Sequence, residues 1–260
     1  MKRARNSLIF LYLLVSINCF ARGNMQNNIF GFEYNHDILI AVVADQRLQF
    51  YEIEGEGEYE YEIEWSAWNV IPSMELILPY GYKDVFYFEN GIIGVVADYR
   101  IQFYEYDGNY WNIIQNMDMI LPAEYKDVFA LPDSFTGKLI GVIVNDIIRL
   151  YRFESYYWVF ADEIFPLPNN FRGGFYFRRP FAFFAYRYFG LIINNTVVFL
   201  VNAGIGWSFS QDLELILPEG SKGAFGIGHG SIGIIFYDKV QFFYYEDNRW
   251  NVIRNADFIF

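Results

Sequence analysis

One cysteine and two histidines are all that 260 residues hold of the side chains that dominate metal centres and nucleophilic triads. Cys19 has no partner in the chain, so no disulfide can form and stability must come from packing. The histidines, His36 in "NHD" and His229 in "GHG", fall in turn sequences with no serine or cysteine motif to serve. No cluster shows metal-ligand spacing and no glycine-rich loop leads into a helix, so no metal and no cofactor is expected. Positive charge is also short, with 19 Lys and Arg against 31 Asp and Glu and a net charge of −12. Such a surface repels phosphate backbones, which excludes nucleic acid as a partner. Helical periodicity over 11 or more residues is missing as well, which points away from α structure.

What the chain has in excess is aromatic. Phe numbers 28 and Tyr 22, within an apolar fraction of 54%. Ring-bearing side chains suit a pleated surface, and this much apolar area excludes disorder.

The first residues form a separate object. Lys2, Arg3 and Arg5 precede the apolar "SLIFLYLLVSIN", the pattern of an export signal over residues 1–21. Two processing readings stand side by side. "CFA" at Cys19–Ala21 places small residues where a signal peptidase cuts, while Cys19 itself sits where a bacterial lipoprotein carries its lipid. Either cut removes three positive charges and takes the net charge to −15. The expected address is outside the cytoplasm, periplasmic or on the cell surface, with membrane contact only through a lipid on Cys19.

A repeat organises the rest. "GVVADYRIQFYEY" from Gly94 recurs without gaps as "AVVADQRLQFYEI" from Ala41, "GVIVNDIIRLYRF" from Gly141, "GLIINNTVVFLVN" from Gly190 and "GIIFYDKVQFFYY" from Gly233. A tryptophan follows each copy, at Trp68, Trp111, Trp158, Trp207 and Trp250, spaced by 43, 47, 49 and 43 residues. The third anchor is "LILP", "MILP", "FPLP" and "LILP", ending at Pro79, Pro122, Pro168 and Pro218, and the fifth copy reads "DFIF". "YKDVFYF" from Tyr82 and "YKDVFAL" from Tyr125 open their units, echoed by "KGAFGIG" from Lys222 and "NNIFGFE" from Asn27. Five units, roughly 27–79, 80–122, 123–168, 169–218 and 219–260, tile residues 27–260 as one domain.

Each unit reads as four strands separated by Asn, Asp and Gly turns. The second strand of each is apolar on both faces, as burial between sheets requires. Five four-stranded units of about 47 residues predict an all-β fold, a five-bladed β-propeller of antiparallel blades, which manages its edges by closing a ring. In blade number and repeat length the chain resembles the tachylectin-2 type of five-bladed propeller, a sugar-binding group; no sugar motif of that group is present to carry over. An outer-membrane β-barrel is the rival fold, favoured by export, aromatics and the final Phe260. Against it stand the absent apolar-out, polar-in alternation and the recurring prolines.

Several residues invite a functional reading. Glu75, Asp118, Glu214 and Asp257 each lie seven residues after the repeated Trp, so they belong to the blade pattern before they belong to a catalytic pair. Asp84 and Asp127 match each other, and the other units have no acid there. The five tryptophans could stack on sugars, but one large side chain per blade is first a packing element.

Two places break the repeat. "FYFRRPFAFFAYRYF", residues 175–189, sets Arg178, Arg179 and Arg187 among Phe181 and eight other aromatic residues, a candidate contact patch for a partner, glycan or membrane surface against plain strand filler. "EIEGEGEYEYEIEW" from Glu52 is an insertion in the first unit, expected to turn near Gly55–Gly57 with its glutamates on a solvated face; weak calcium binding is the alternative. No catalytic residue stands out. The sequence therefore points to a non-enzymatic binding or scaffold module of the cell envelope with a protein or glycan ligand, against a carbohydrate-active hydrolase using channel carboxylates or a purely structural component.

Overall fold

A computed structural model of the chain describes residues 29–34, 37–56, 64–131, 139–168, 170–177, 187–202, 207–228 and 230–260. They form five separate antiparallel sheets, each from one contiguous stretch of chain. The first blade holds β1 (Ile29–Tyr34), β2 (Asp37–Ala44), β3 (Arg47–Glu56), β4 (Glu64–Val70) and the short β5 (Leu76–Ile77). The second holds β6 (Tyr82–Glu89), β7 (Ile92–Ala97), β8 (Arg100–Tyr106), β9 (Trp111–Ile113) and β10 (Met119–Ile120). The third is β11 (Tyr125–Leu131), β12 (Leu139–Val144), β13 (Ile147–Glu154) and β14 (Tyr157–Pro166). The fourth is β15 (Phe171–Phe177), β16 (Arg187–Ile193), β17 (Thr196–Asn202) and β18 (Trp207–Ile216). The fifth is β19 (Gly223–Gly228), β20 (Ser231–Ile235), β21 (Lys239–Glu246), β22 (Arg249–Val252) and β23 (Phe258–Ile259).

The first strands β1, β6, β11, β15 and β19 touch one another in turn, and β19 meets β1, which closes the ring. The chain is a five-bladed β-propeller. A barrel would need one closed sheet, so the rival fold fails.

Turn chemistry sets the hairpins. Pairs of residues with positive φ join second to third strands at Asp45 and Gln46 (48° and 63°), Asp98 and Tyr99 (47° and 60°), and Asn145 and Asp146 (50° and 62°). These left-handed pairs give the backbone twist that matches flanking strands.

The outer strand departs from the simple four-strand expectation. In blades 1, 2 and 5 it is split, and the second piece (β5, β10 or β23) pairs with the same third strand as the first. Between the pieces the chain turns a buried residue inward: Met74, Met117 or Ala256, each at most 3% exposed.

No single central core exists; apolar clusters fill the seams between blades. Phe32 and Phe50 meet Val85 and Tyr104 at the first seam, and Phe88 and Phe103 meet Val128 and Ile140 at the second. Phe129 and Leu150 meet Phe189 and Leu191, then Phe177 and Phe199 meet Ala224 and Ile232. Phe225 and Phe242 against Ile29 and Ile40 complete the circle. The repeated glycines follow from this packing. A Cβ on Gly94, Gly141, Gly190 or Gly233 would run into the ring of Phe86, Phe129, Phe175 or Phe225, which lies across it from the inner strand.

The tryptophans pack the seams. The Nε1–H of Trp111 donates to Met74 O (2.6 Å), Trp158 to Met117 O (2.8 Å), Trp250 to Leu213 O (3.0 Å) and Trp68 to Ala256 O (2.9 Å). Each partner belongs to the preceding blade, with Trp68 reaching back to the fifth. The ring faces stack there too: Trp111 on Phe50 (5.2 Å), Trp158 on Phe103 (5.5 Å) and Trp250 on Phe199 (5.7 Å). With N–H and ring face both committed, these indoles are not an exposed sugar platform.

Candidate functional site

The ring is not symmetric about its axis. On one side the inner strands approach to backbone contact: a Cβ on Gly226 would overlap the carbonyl of Tyr176, and one on Gly31 would press on Phe225. At the matching positions β6 and β11 carry Tyr87 and Ala130 instead. On this second side, where the strands begin, β6 and β11 carry Lys83, Asp84, Lys126 and Asp127.

Asp84 and Asp127 sit there, one strand apart around the ring. Each follows a β-bulge, between Tyr82 and Asp84 on β6 and between Tyr125 and Asp127 on β11, which leaves Lys83 and Lys126 as the extra residues. Each carboxylate accepts the N–H of the next residue, Val85 (2.8 Å) or Val128 (2.9 Å). Neither makes an ion pair among the described residues. Asp84 shares its strand face with Phe86 and Phe88, which pack in the seam against blade 3.

Both acids are half-buried on the inner strands of the ring. That loss of solvation is the main force holding Asp84 well above the usual carboxylate range; the charge of Asp127 adds to it and the Val85 N–H opposes it. Burial likewise pushes Asp127 up to about 7, against the Val128 N–H. At the same place blades 4 and 5 have Gly173 and Gly223, while the first-blade counterpart Asn28 lies outside the described residues.

Beside the acids is an aromatic and cationic cluster. Tyr99 and Tyr125 meet edge to face at 5.8 Å, and Lys83 Nζ lies 4.3 Å from the Tyr99 ring centre. Burial raises the Tyr125 hydroxyl above its ordinary value, Lys83 counters that, and Asp84 adds to it. Tyr99 is 48% exposed and holds φ at 60°, a left-handed geometry that is unfavourable for a bulky side chain. The matching turns of blades 1 and 3 place Gln46 and Asp146 there. Tyr80, 90% exposed, stands next to Gly81, where an added Cβ would lie 3.9 Å from the Asp98 carboxylate.

The inner-strand cations are engaged nearby. Lys126 pairs with Asp146 (2.7 Å), and Arg172 donates to Asn194 O (3.1 Å) and Lys222 O (2.8 Å), tying blade 4 to blade 5.

The acids repeated seven residues after each Trp are structural in three blades. Glu75 pairs with Arg47 (2.6 Å), Asp118 with Arg100 (3.3 Å) and Asp257 with Lys239 (2.6 Å), each cation opening the third strand of the same blade. In blade 4 Thr196 stands at that cation's place, opposite Glu214 in the pattern.

The patch residues Arg178, Arg179 and Phe181 lie outside the described residues, as do Cys19, His36 and His229. Arg187 opens β16, its backbone opposite Asn202. In the glutamate-rich insertion the expected turn moves outward. β3 continues through Gly55 to Glu56, pairing with Trp65 and Glu64, and a bulge after Glu54 interrupts strict alternation. Residues 57–63 lie outside the description. Among the described residues no group of three or more acids, histidines or cysteines could hold a metal ion.

No family model and no curated protein matches the chain. Solved structures resemble it in fold. The WD40 domain of SCAP from fission yeast is 11% identical with a TM-score of 0.46, over 90% of this chain and 53% of that one. A Bacteroides uniformis protein provisionally assigned as a 6-phosphogluconolactonase is 9% identical, TM-score 0.43, over 86% and 68%. A functionally unknown Desulfotomaculum acetoxidans protein is 11% identical, TM-score 0.42, over 88% and 69%. These likenesses carry no argument about activity.

Proposed function

We propose that this propeller is a non-enzymatic binding module of the cell envelope, and that it recognises a glycan at the channel mouth formed by blades 2 and 3. One observation carries the reading: Tyr99 is held exposed in a left-handed turn against Lys83 and Tyr125, on the strands that carry Asp84 and Asp127, where the matching turns of the other blades have Gln46, Asp146, Asn195 and Asp238. Backbone strain of this kind persists where a side chain is needed in that place. Sugar recognition needs an apolar ring face for the pyranose and carboxyl groups for its hydroxyls, and this corner supplies both. Export rests on the N-terminal pattern alone, with anchoring through Cys19 if that residue is lipidated.

A glycan array probed with the full chain and with Tyr99→Gly tests it. Binding by the native chain that the variant loses supports the reading, and absence of binding to any glycan overturns it. A hydrolase is the second reading, favoured by one fact: Asp84 and Asp127 are a carboxyl pair that the other described blades lack. Release of reducing ends from a bound oligosaccharide, abolished in Asp84→Asn, would establish turnover in place of simple binding.

A further inference from the structure

Among the described residues, every non-glycine residue with positive φ is Asp, Asn, Ser or Gln, with two exceptions: Tyr99 at 60° and Tyr156 at 75°. Tyr156 follows Ser155, at 48°, in the two-residue turn that joins β13 to β14, and it is 80% exposed. Blade 5 makes the same turn with Asp247 and Asn248, at 51° and 58°, so the hairpin itself does not require an aromatic residue. A bulky side chain in the left-handed region is an unfavourable choice that persists where the ring is used. We propose that the Tyr156 turn is a second sugar-contact site, on the face of the propeller opposite Tyr99, and that it takes a neutral glycan.

The placement follows from the meander. The Tyr99 turn joins the second and third strands of its blade, and the Tyr156 turn joins the third and fourth. Successive turns of an antiparallel sheet lie at opposite ends. With the inner strands of blades 2 and 3 side by side in the ring, the two tyrosines stand on opposite faces.

The surroundings of the turn suit a sugar. Tyr157, also exposed, is paired directly with Glu154 across the hairpin, so their side chains share one face. Glu154 Oε1 accepts from Arg152 Nη1 at 3.2 Å, and Arg152 lies two residues earlier on that same face. The other face of the hairpin, with Phe153 and Trp158, packs against blade 2. The turn thus presents tyrosine rings beside a guanidinium and a carboxylate that both reach solvent. Donors and acceptors for hydroxyl groups are present, and the paired charges cancel, which favours an uncharged ligand. A protein partner suits the place less well. A stable protein interface needs a broad buried patch, and here the rings stand at a hairpin tip beside charged groups.

The ligand class rests on the glycan reading of Tyr99, whereas the site rests on its own turn. Sites on opposite faces do not meet one surface together, so a single chain bridges two glycan-bearing surfaces.

The test is native mass spectrometry of the full chain, beside Tyr99→Asn, Tyr156→Asn and the double variant, with the neutral oligosaccharide that binds most strongly on a glycan array. Two oligosaccharides on the native chain, one on each single variant and none on the double variant are expected. One on the native chain, lost in Tyr99→Asn and kept in Tyr156→Asn, overturns this proposal and leaves the Tyr99 reading intact. Loss confined to Tyr156→Asn supports the present site and overturns the Tyr99 reading. No sugar on the native chain, or the same number on all four proteins, overturns both. Asparagine already occupies the matching turn of blade 5, so Tyr156→Asn should fold with Tm unchanged or raised.

Discussion

Trp111 donates its indole N–H to the carbonyl of Met74 at 2.6 Å and stacks on Phe50 at 5.2 Å, two contacts to the blade before it. Trp68 makes the equivalent hydrogen bond to Ala256 across the joint between first and last blades, with Phe242 at 5.4 Å. Ring closure therefore uses the same device as every internal seam where the bond is seen, with no strand exchanged between the ends of the domain.

Trp111→Phe should keep most of the ring contact and lose the hydrogen bond, at a cost of about 1 kcal/mol. Trp111→Ala should cost about 3 kcal/mol, since it also empties part of the seam. If closure is a seam like the others, Trp68→Ala should cost about the same. Equilibrium denaturation of the three variants measures this. A Trp68→Ala chain as stable as the native one would show that blades 1 and 5 are held together by something else.

The glycine that opens four of the five second-strand repeats makes a sharper test of packing. Gly94→Ala places a methyl group where the Phe86 ring lies, and overpacking of that kind costs about 1–3 kcal/mol. Gly108 is the control. It has φ of 96° with nothing within 4 Å of a Cβ, so Gly108→Ala meets backbone strain alone. In a domain of this size each kcal/mol moves Tm by about 2–4 °C, so thermal unfolding separates the two effects. Blade 1 already carries Ala41 opposite Phe30, so Ala41→Gly should not stabilise the chain.

Blade number, strand order and the packing role of the tryptophans were legible because five copies expose what they share. The same comparison assigned Glu75, Asp118 and Asp257 to the blade pattern, and each pairs with a cation, Arg47, Arg100 or Lys239, that opens the third strand of its own blade. Asp84 and Asp127 stood out as a matching pair, but their placement was invisible. Residues 43 positions apart come onto adjacent inner strands only when the blades close into a ring, and the bulges before them leave no mark in residue type. Tyr99 was equally hidden. A tyrosine after an aspartate reads as an ordinary turn until its φ is known.

Asp107 offers a pH prediction. Its carboxylate accepts the N–H groups of Tyr110 and Asn109, both at 2.8 Å, and the Asn112 side chain at 2.9 Å. Those bonds, the Tyr110 N–H foremost, hold its pKa below the ordinary value. A lowered folded value means that the stabilisation is present above the unfolded pKa and is lost as pH falls through the folded one. Asp107→Ala should therefore destabilise the hairpin between β8 and β9 at neutral pH and make little difference in strong acid. Amide exchange at Asn109 and Tyr110, followed at both pH values, reports the local effect.

The strongest opposition between stability and function is expected at Tyr99. A non-glycine residue at φ of 60° carries a conformational cost, and Tyr99→Gly removes it while leaving the turn free to form. The substitution also releases Lys83 from its contact over the ring, a weak interaction at an exposed site, so relief of strain should dominate. The variant should be more stable than the native chain by about 1 kcal/mol. The native residue then looks like one retained for contact at the expense of the fold, as binding sites often require. Tyr99→Asn separates the two properties, because asparagine tolerates the left-handed turn but offers no ring face. A chain that is stabilised by both substitutions and loses glycan binding in both would place the contact on the ring itself. One that is destabilised by both would mean that Tyr99 serves the fold through Tyr125 and Lys83.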